Sequence, residues 1–153
     1  MEGSGKNAAI SGEPVINRYS YEDIPVGHTE RFTVTVTEEM MKSFCAISGD
    51  VNPLHGSSSY AQKKGYPDKV VYGMLTASFL STLAGVWLPG ERSLIHQVET
   101  EFPSPVYVGD SLTVEGTVKE KNDTFRFLVV KVVIRNQKGQ KVLRGKMRIQ
   151  VTE

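Results

Sequence analysis

The sequence predicts an α+β fold in which a curved antiparallel sheet wraps around a central buried helix. Three patterns lead there. Ser93 to Thr152 holds four long strand-like runs separated by turn residues. His28 to Val36 supplies one more strand ahead of the helices. Between them, Met74 to Trp87 is apolar nearly all round, and a helix of that kind needs cover on most sides.

Each element has its own warrant. Residues 1–14 are rich in Gly, Ser and small polar residues and read as a disordered tail, leaving 15–153 as a single domain. Tyr21 to Gly27 is an irregular lead-in closed by a turn. In His28 to Val36 the residues Phe32, Val34 and Val36 alternate onto one face, the pattern of a strand. Thr37 is a good helix N-cap, and Glu38 and Glu39 suit the positive end of the helix dipole. The apolar residues Met40, Met41, Phe44, Cys45 and Ile47 follow at mixed three and four spacing, so Thr37 to Ser48 reads as an amphipathic helix. Gly49 is its natural stop. Asn52-Pro53 cannot continue a helix, so a loop follows, and then a short helix over Ser57 to Lys64 ended by Gly65 and Pro67.

The strand patterns are Ser93 to Phe102, Ser111 to Lys121, Phe125 to Asn136 and Gln140 to Thr152. Gly109-Asp110, Asn122-Asp123 and Lys138-Gly139 mark the turns between them. Connections this short favour antiparallel neighbours in chain order.

Composition narrows the function classes. With 153 residues, 39% hydrophobic and 23% charged, the chain has one ordinary globular domain's worth of core. A formal charge of +1 provides no bulk field for nucleic acid or an anionic membrane. The single cysteine, Cys45, excludes an internal disulfide and suits a reducing compartment. It sits in an apolar helical pattern and reads as a small buried hydrophobe. The first residues lack a secretory signal pattern. Gly73, Gly85 and Pro89 interrupt the one long uncharged stretch, which therefore reads as a buried helix rather than a membrane span. A cytoplasmic location is the expectation.

The chemistry-bearing segment is Ser48-Gly49-Asp50-Val51-Asn52-Pro53-Leu54-His55. Residues five apart point to opposite faces of a strand and well apart on a helix. An irregular loop, made by Gly49 and Pro53, is what could bring Asp50 and His55 onto one water. Asn52 suits a tie within that loop through its side chain. Asp followed five residues later by His also occurs as plain solvated loop residues.

The segment Phe44 to His55 resembles the hydratase-2 motif of the MaoC-like dehydratases, the (R)-specific enoyl-CoA hydratases. Tyr72-Gly73-Met74-Leu75-Thr76-Ala77-Ser78 and Phe102-Pro103-Ser104-Pro105-Val106-Tyr107-Val108-Gly109-Asp110 agree with that family in order and spacing. The likeness covers roughly Tyr19 to Val151. It implies a hot-dog fold, a homodimer or dimer of dimers whose sheets join, and an acyl-CoA or acyl carrier protein thioester as substrate. It implies no cofactor and no metal. It also places Ser81 near the acyl pocket, and with Asn52 and Gly73 among the substrate-binding residues. Two positions depart from the family pattern. Tyr72 stands where a His commonly precedes Gly-Met-Leu, and the acidic residue that commonly follows the motif histidine is missing near Gly56-Ser57.

Hydration of a 2-enoyl thioester requires that water lose a proton as it attacks C3, that C2 gain one, and that charge on the thioester oxygen be stabilised. Asp50 and His55 are the expected acid/base pair, with histidine's ordinary pKa of about 6.5 allowing either role near neutrality. Gly73, at the start of the apolar helix, has an unpaired backbone N–H and no side chain, which suits an oxyanion donor. It is equally at home as a turn residue before a helix.

The remaining candidates have plainer readings. His28 and His96 have no partner in spacing and read as strand or surface residues. Glu99 and Glu101 share a strand face and read as a solvated edge rather than a carboxylate pair. Lys63, Lys64, Lys69, Arg144, Lys146 and Arg148 are candidates for the coenzyme A phosphates, although most such residues are simply solvated. No His/Cys/Asp cluster has metal-ligand spacing. The alternatives are a thioesterase on the same fold and a non-catalytic acyl-thioester binding module.

Overall fold

The structure is a computed structural model that describes residues 15–153. The proposed tail at 1–14 lies outside the described residues. Five strands form one antiparallel sheet: β1 (Thr29–Thr35), β2 (Ser93–Glu101), β3 (Ser111–Asn122), β4 (Phe127–Arg135) and β5 (Lys141–Val151). Four helices lie between β1 and β2: α1 (Glu38–Ser48), α2 (Pro53–Gly56), α3 (Ser58–Lys63) and α4 (Gly73–Thr82).

Local chemistry explains the helix ends. The Thr37 side chain accepts from the Met40 N–H at the start of α1, and Gly49 closes it in the left-handed conformation at φ 73°. Ser57 caps α3 in the same way, accepting from the Tyr60 N–H. The segment read as a loop from 49 to 56 contains a helical turn: Asn52 caps α2 by accepting from the Leu54 N–H, and Pro53 occupies its first position. Proline is pre-organised for that position, so Asn52-Pro53 starts a helix here instead of only ending one.

The apolar stretch expected as one helix to Trp87 changes hand-hold partway. After Thr82 it widens into a π-helical turn over Leu83–Trp87, with the Leu88 N–H reaching back to the Leu83 carbonyl. The carbonyls at the end of this turn are taken from upstream in the chain: the Asn17 N–H bonds Val86 O at 2.9 Å and its side-chain amide bonds Trp87 O at 2.8 Å. Leu83, Ala84 and Leu80 are buried, and the π turn packs on β1, β2 and β3. At Gly116 on β3 any Cβ would come within 2.8 Å of the Leu83 side chain, so glycine is what lets sheet and helix approach. The other flank of α4 is open: Met74, Ser78 and Ser81 are exposed.

The sheet order is β1-β3-β4-β5-β2. Strand β2 therefore pairs with β5 and not with β3, its successor in the chain, which corrects the expectation of neighbours in chain order. The Phe102 to Asp110 connection is too long for a hairpin, and Pro103 and Pro105 stiffen it in extended form. It carries the chain from one sheet edge to the interior instead. Cross-strand charge supports the register: Glu101 pairs with Arg144 at 2.8 Å and Glu99 with Lys146 at 3.5 Å. These two carboxylates are ion-paired across strands. Strand β4 starts at Phe127, later than the Phe125 its apolar pattern suggested, because Arg126 takes a left-handed conformation (φ 56°) in the turn. Its guanidinium joins Glu22 and Glu153, pinning lead-in and C-terminus together.

No helix among the described residues is long and apolar enough to cross a membrane.

Candidate active site

The Val70-Val71 segment, between α3 and α4, organises the site. The Val70 N–H bonds Leu54 O at 3.0 Å, and the Val71 N–H bonds Val106 O at 2.8 Å, so this segment bridges α2 to the connection after β2. The segment's side of the cleft also anchors the histidine. His55 Nδ1 lies 2.6 Å from Val70 O. A carbonyl only accepts, so Nδ1 carries a proton and donates it, which leaves Nε2 as the ring nitrogen without a protein partner among the described bonds.

His55 and Gly73 line one cleft of about 280 Å³, together with Tyr66, Thr76, Phe102 and the Pro103–Val106 stretch. Gly73 is the first residue of α4, where backbone N–H groups have no partner inside the helix. A Cβ there would meet the Phe102 ring at 3.4 Å, so the absent side chain keeps space between that ring and the helix start. Thr76, one turn on, is buried, and its hydroxyl has no partner within the described protein.

Asp50 is exposed and lies outside the residues that line the cleft. Its Oδ1 accepts from the Asn52 N–H at 3.0 Å, a tight local turn. Its carbonyl accepts from the Tyr72 hydroxyl at 3.0 Å and from the Cys45 thiol at 3.4 Å. Cys45 is thus half-buried and engaged, beyond the small-hydrophobe role read from its pattern. Tyr72 also packs on His55, with ring centroids 4.2 Å apart and planes tilted by 32°. Through Tyr72 the structure brings Asp50 and His55 against one side chain. Asn52 acts as the cap of α2, and Ser81 is exposed and outside the cleft lining.

Three of these features had no strong signal in the sequence. The anchor of His55 is a backbone carbonyl, which no residue type announces. Thr76 and Phe102 belonged to recognisable segments, but nothing singled them out individually. His28 and His96, read as lacking partners, have them: His28 Nε2 lies 3.1 Å from Glu30 Oε1, and His96 Nε2 lies 3.0 Å from Gln150 Oε1. Of the basic candidates for phosphate contact, Arg144 and Lys146 are paired with β2 carboxylates and Lys69 with Glu38.

Burial pushes the Tyr72 phenol up to about 12, with the Cys45 thiol and the Asp50 charge adding to it. Tyr19 and Tyr21 are likewise pushed up to about 12, chiefly by burial and then by Glu30 and Asp123 respectively. Above the ordinary value of 10.0 the unfolded chain loses these protons while the folded chain keeps them. Stability is therefore fully present below pH 10.0 and declines as pH rises toward 12. Urea midpoints measured across that window should fall steadily, with phenolate absorbance of the folded protein lagging behind that of the unfolded chain. Coincident phenolate titrations of the two states would contradict this.

The comparisons with known proteins bear on the family and the fold. Residues 24–140 match the MaoC like domain family. The chain is 34% identical over 122 residues to an (R)-specific enoyl-CoA hydratase of Rhodospirillum rubrum, covering 76% of this chain and 84% of that protein. It is 35% identical over 96 residues to the (R)-specific enoyl-CoA hydratase of Aeromonas caviae, covering 63% of this chain and 72% of that one. Among solved structures, the unliganded R-hydratase PhaJ1 of Pseudomonas aeruginosa superposes with a TM-score of 0.85 at 29% identity, over 90% of this chain and 88% of that one. The antiparallel sheet curved around α4 is the hot-dog fold of these hydratases. By its sequence match and by its fold, the chain belongs to the MaoC-like dehydratase family.

Proposed function

We propose that this protein adds water across the double bond of a trans-2-enoyl thioester to give an (R)-3-hydroxyacyl thioester, and catalyses the reverse dehydration. The observation that carries the reading is the cleft shared by His55 and Gly73, with the His55 ring held through Nδ1 so that Nε2 is its working atom.

The steps balance with the residues present. The water oxygen bonds C3 while one water proton passes to Asp50, whose Oδ1 is already engaged by Asn52, leaving Oδ2 to receive it. The C2–C3 π electrons shift to the C1–C2 bond and the carbonyl π pair moves onto the thioester oxygen, which the Gly73 N–H stabilises at the positive end of α4. The resulting enolate takes a proton at C2 from His55 Nε2. Because Nδ1 is committed to Val70 O, this donor form is the imidazolium. A water then returns the Asp50 proton to Nε2. In dehydration every transfer runs backwards, as one catalyst serves both directions. Asn52 holds the turn, and Ser81 has no step in this scheme.

The test is to mix wild-type protein with trans-2-enoyl-CoA esters of short, medium and long chains. Loss of enoyl absorbance with formation of the (R)-3-hydroxyacyl product is expected. Release of free thiol instead would identify a thioesterase, and neither signal would leave a binding module.

The assembly belongs to the same proposal. Strand β2 is a free sheet edge whose Leu94 and Val98 are 51% and 46% exposed, with backbone groups unpaired along it. Ile47, Val51 and Met74, beside Asp50 and Gly73, are exposed as well. Two copies joined through β2 would cover such an edge, and a dimer of dimers would extend it. Analytical ultracentrifugation should give a multiple of the 16.9 kDa chain mass. A single-chain mass at micromolar concentration would contradict it.

A further inference from the structure

We propose that Tyr72 is a positioning residue for the acid/base pair, its hydroxyl fixing Asp50 and its ring fixing His55; this rests on the hydration reading above. The Tyr72 hydroxyl donates to the Asp50 carbonyl at 3.0 Å. Asp50 is otherwise held by its own neighbourhood: its N–H bonds Ser48 Oγ, its Oδ1 takes the Asn52 N–H, and its carbonyl takes the Cys45 thiol. All of those partners lie on α1 or within two residues of Asp50. The Tyr72 hydroxyl alone, among the described side-chain bonds, ties it to the α4 side of the cleft.

The ring does a second task. It lies 4.2 Å from the His55 ring and 4.9 Å from that of Phe44, so the imidazole is held by a wall on its face as well as by Val70 O at its edge. Tyr72 is only 5% exposed, so neither contact competes with solvent. Its peptide continues directly into Gly73, so one residue touches the base, the acid and the oxyanion donor. With its pKa pushed up to about 12, the phenol remains a donor at neutral pH.

Positioning separates from mere packing by how losses combine. Tyr72→Phe keeps the ring and removes the donor. A displacement of about 1 Å can cost up to about 10²-fold, so a smaller shift of Asp50 should lower kcat about 10-fold. KM and the thermal midpoint should stay near wild type. In an Asp50→Asn background the same change should cost nothing further, because the group it acts through is already disabled. A wild-type kcat in Tyr72→Phe, or losses that multiply in the double variant, would overturn the hydroxyl's role.

The ring's role is read without turnover. Nuclear magnetic resonance should show the His55 ring protons shifted by the adjacent aromatic ring in wild type and in Tyr72→Phe, and released in Tyr72→Leu. Unchanged His55 resonances in Tyr72→Leu would overturn that part. If wild type hydrates no enoyl thioester, the proposed reaction fails and the hydroxyl's catalytic role with it, while these spectra still decide whether Tyr72 holds His55.

Discussion

Replacing Asp50 by Asn, or His55 by Asn, is expected to lower kcat for enoyl-thioester hydration by about 10²–10⁴-fold, the usual loss for one acid/base group. Both changes are chosen to leave the fold in place. An amide at position 50 still offers an oxygen to the Asn52 N–H, which the carboxylate accepts at 3.0 Å. An asparagine at 55 presents an N–H close to where Nδ1 donates to Val70 O, but has nothing at the Nε2 position. The two losses should not multiply when combined, because groups that share one water act as a unit. Full rate in both single variants would remove Asp50 and His55 from the mechanism even if the reaction itself were observed.

The second large effect is expected at Gly73. Gly73→Pro deletes the backbone N–H proposed to hold the thioester oxygen, and should reduce kcat by about 10²–10³-fold. Proline is tolerated at the first position of a helix, which Gly73 occupies. Tyr72 already has the extended ψ of 125° that a residue before proline favours. The Phe102 ring, half-exposed and 3.4 Å from an added Cβ, has room to give way. Gly73→Ala keeps the N–H and so should lose far less. Equal activity in the proline and alanine variants would show that the N–H is not the oxyanion donor, and would leave Gly73 as a packing position beneath Phe102.

Much of this was legible because it depends on short-range chemistry. Thr37, Gly49 and Ser57 each mark a helix end by a bond or a backbone angle that the residue type itself favours. Alternation in β3 and β5 follows from one face being buried and one solvated. The partner of β2 was not legible, since pairing with β5 is a choice between distant edges that alternation alone does not make. The π-helical turn was not legible either, and the carbonyls at its end are taken by Asn17, far away in the chain.

The same division runs through the site. Asp50 and His55 stood out as residue types at a suggestive spacing, and Gly73 as a glycine at a helix start. What holds them did not stand out. Val70 O is backbone, and the bond from Tyr72 to Asp50 O spans two elements whose approach only the fold defines. Tyr72 was visible only as an unusual residue before Gly-Met-Leu. The structure turns that departure into a contact with both members of the pair.

Hydration carried out in deuterium oxide puts the central claim to the most direct test. With wild type, crotonyl-CoA should lose its enoyl absorbance and give the (R)-3-hydroxyacyl product carrying solvent deuterium at C2. With His55→Asn that deuterium should arrive at least about 10²-fold more slowly. Wild-type protein that leaves the enoyl thioester unchanged, or a His55→Asn variant that labels C2 at the wild-type rate, would contradict the account.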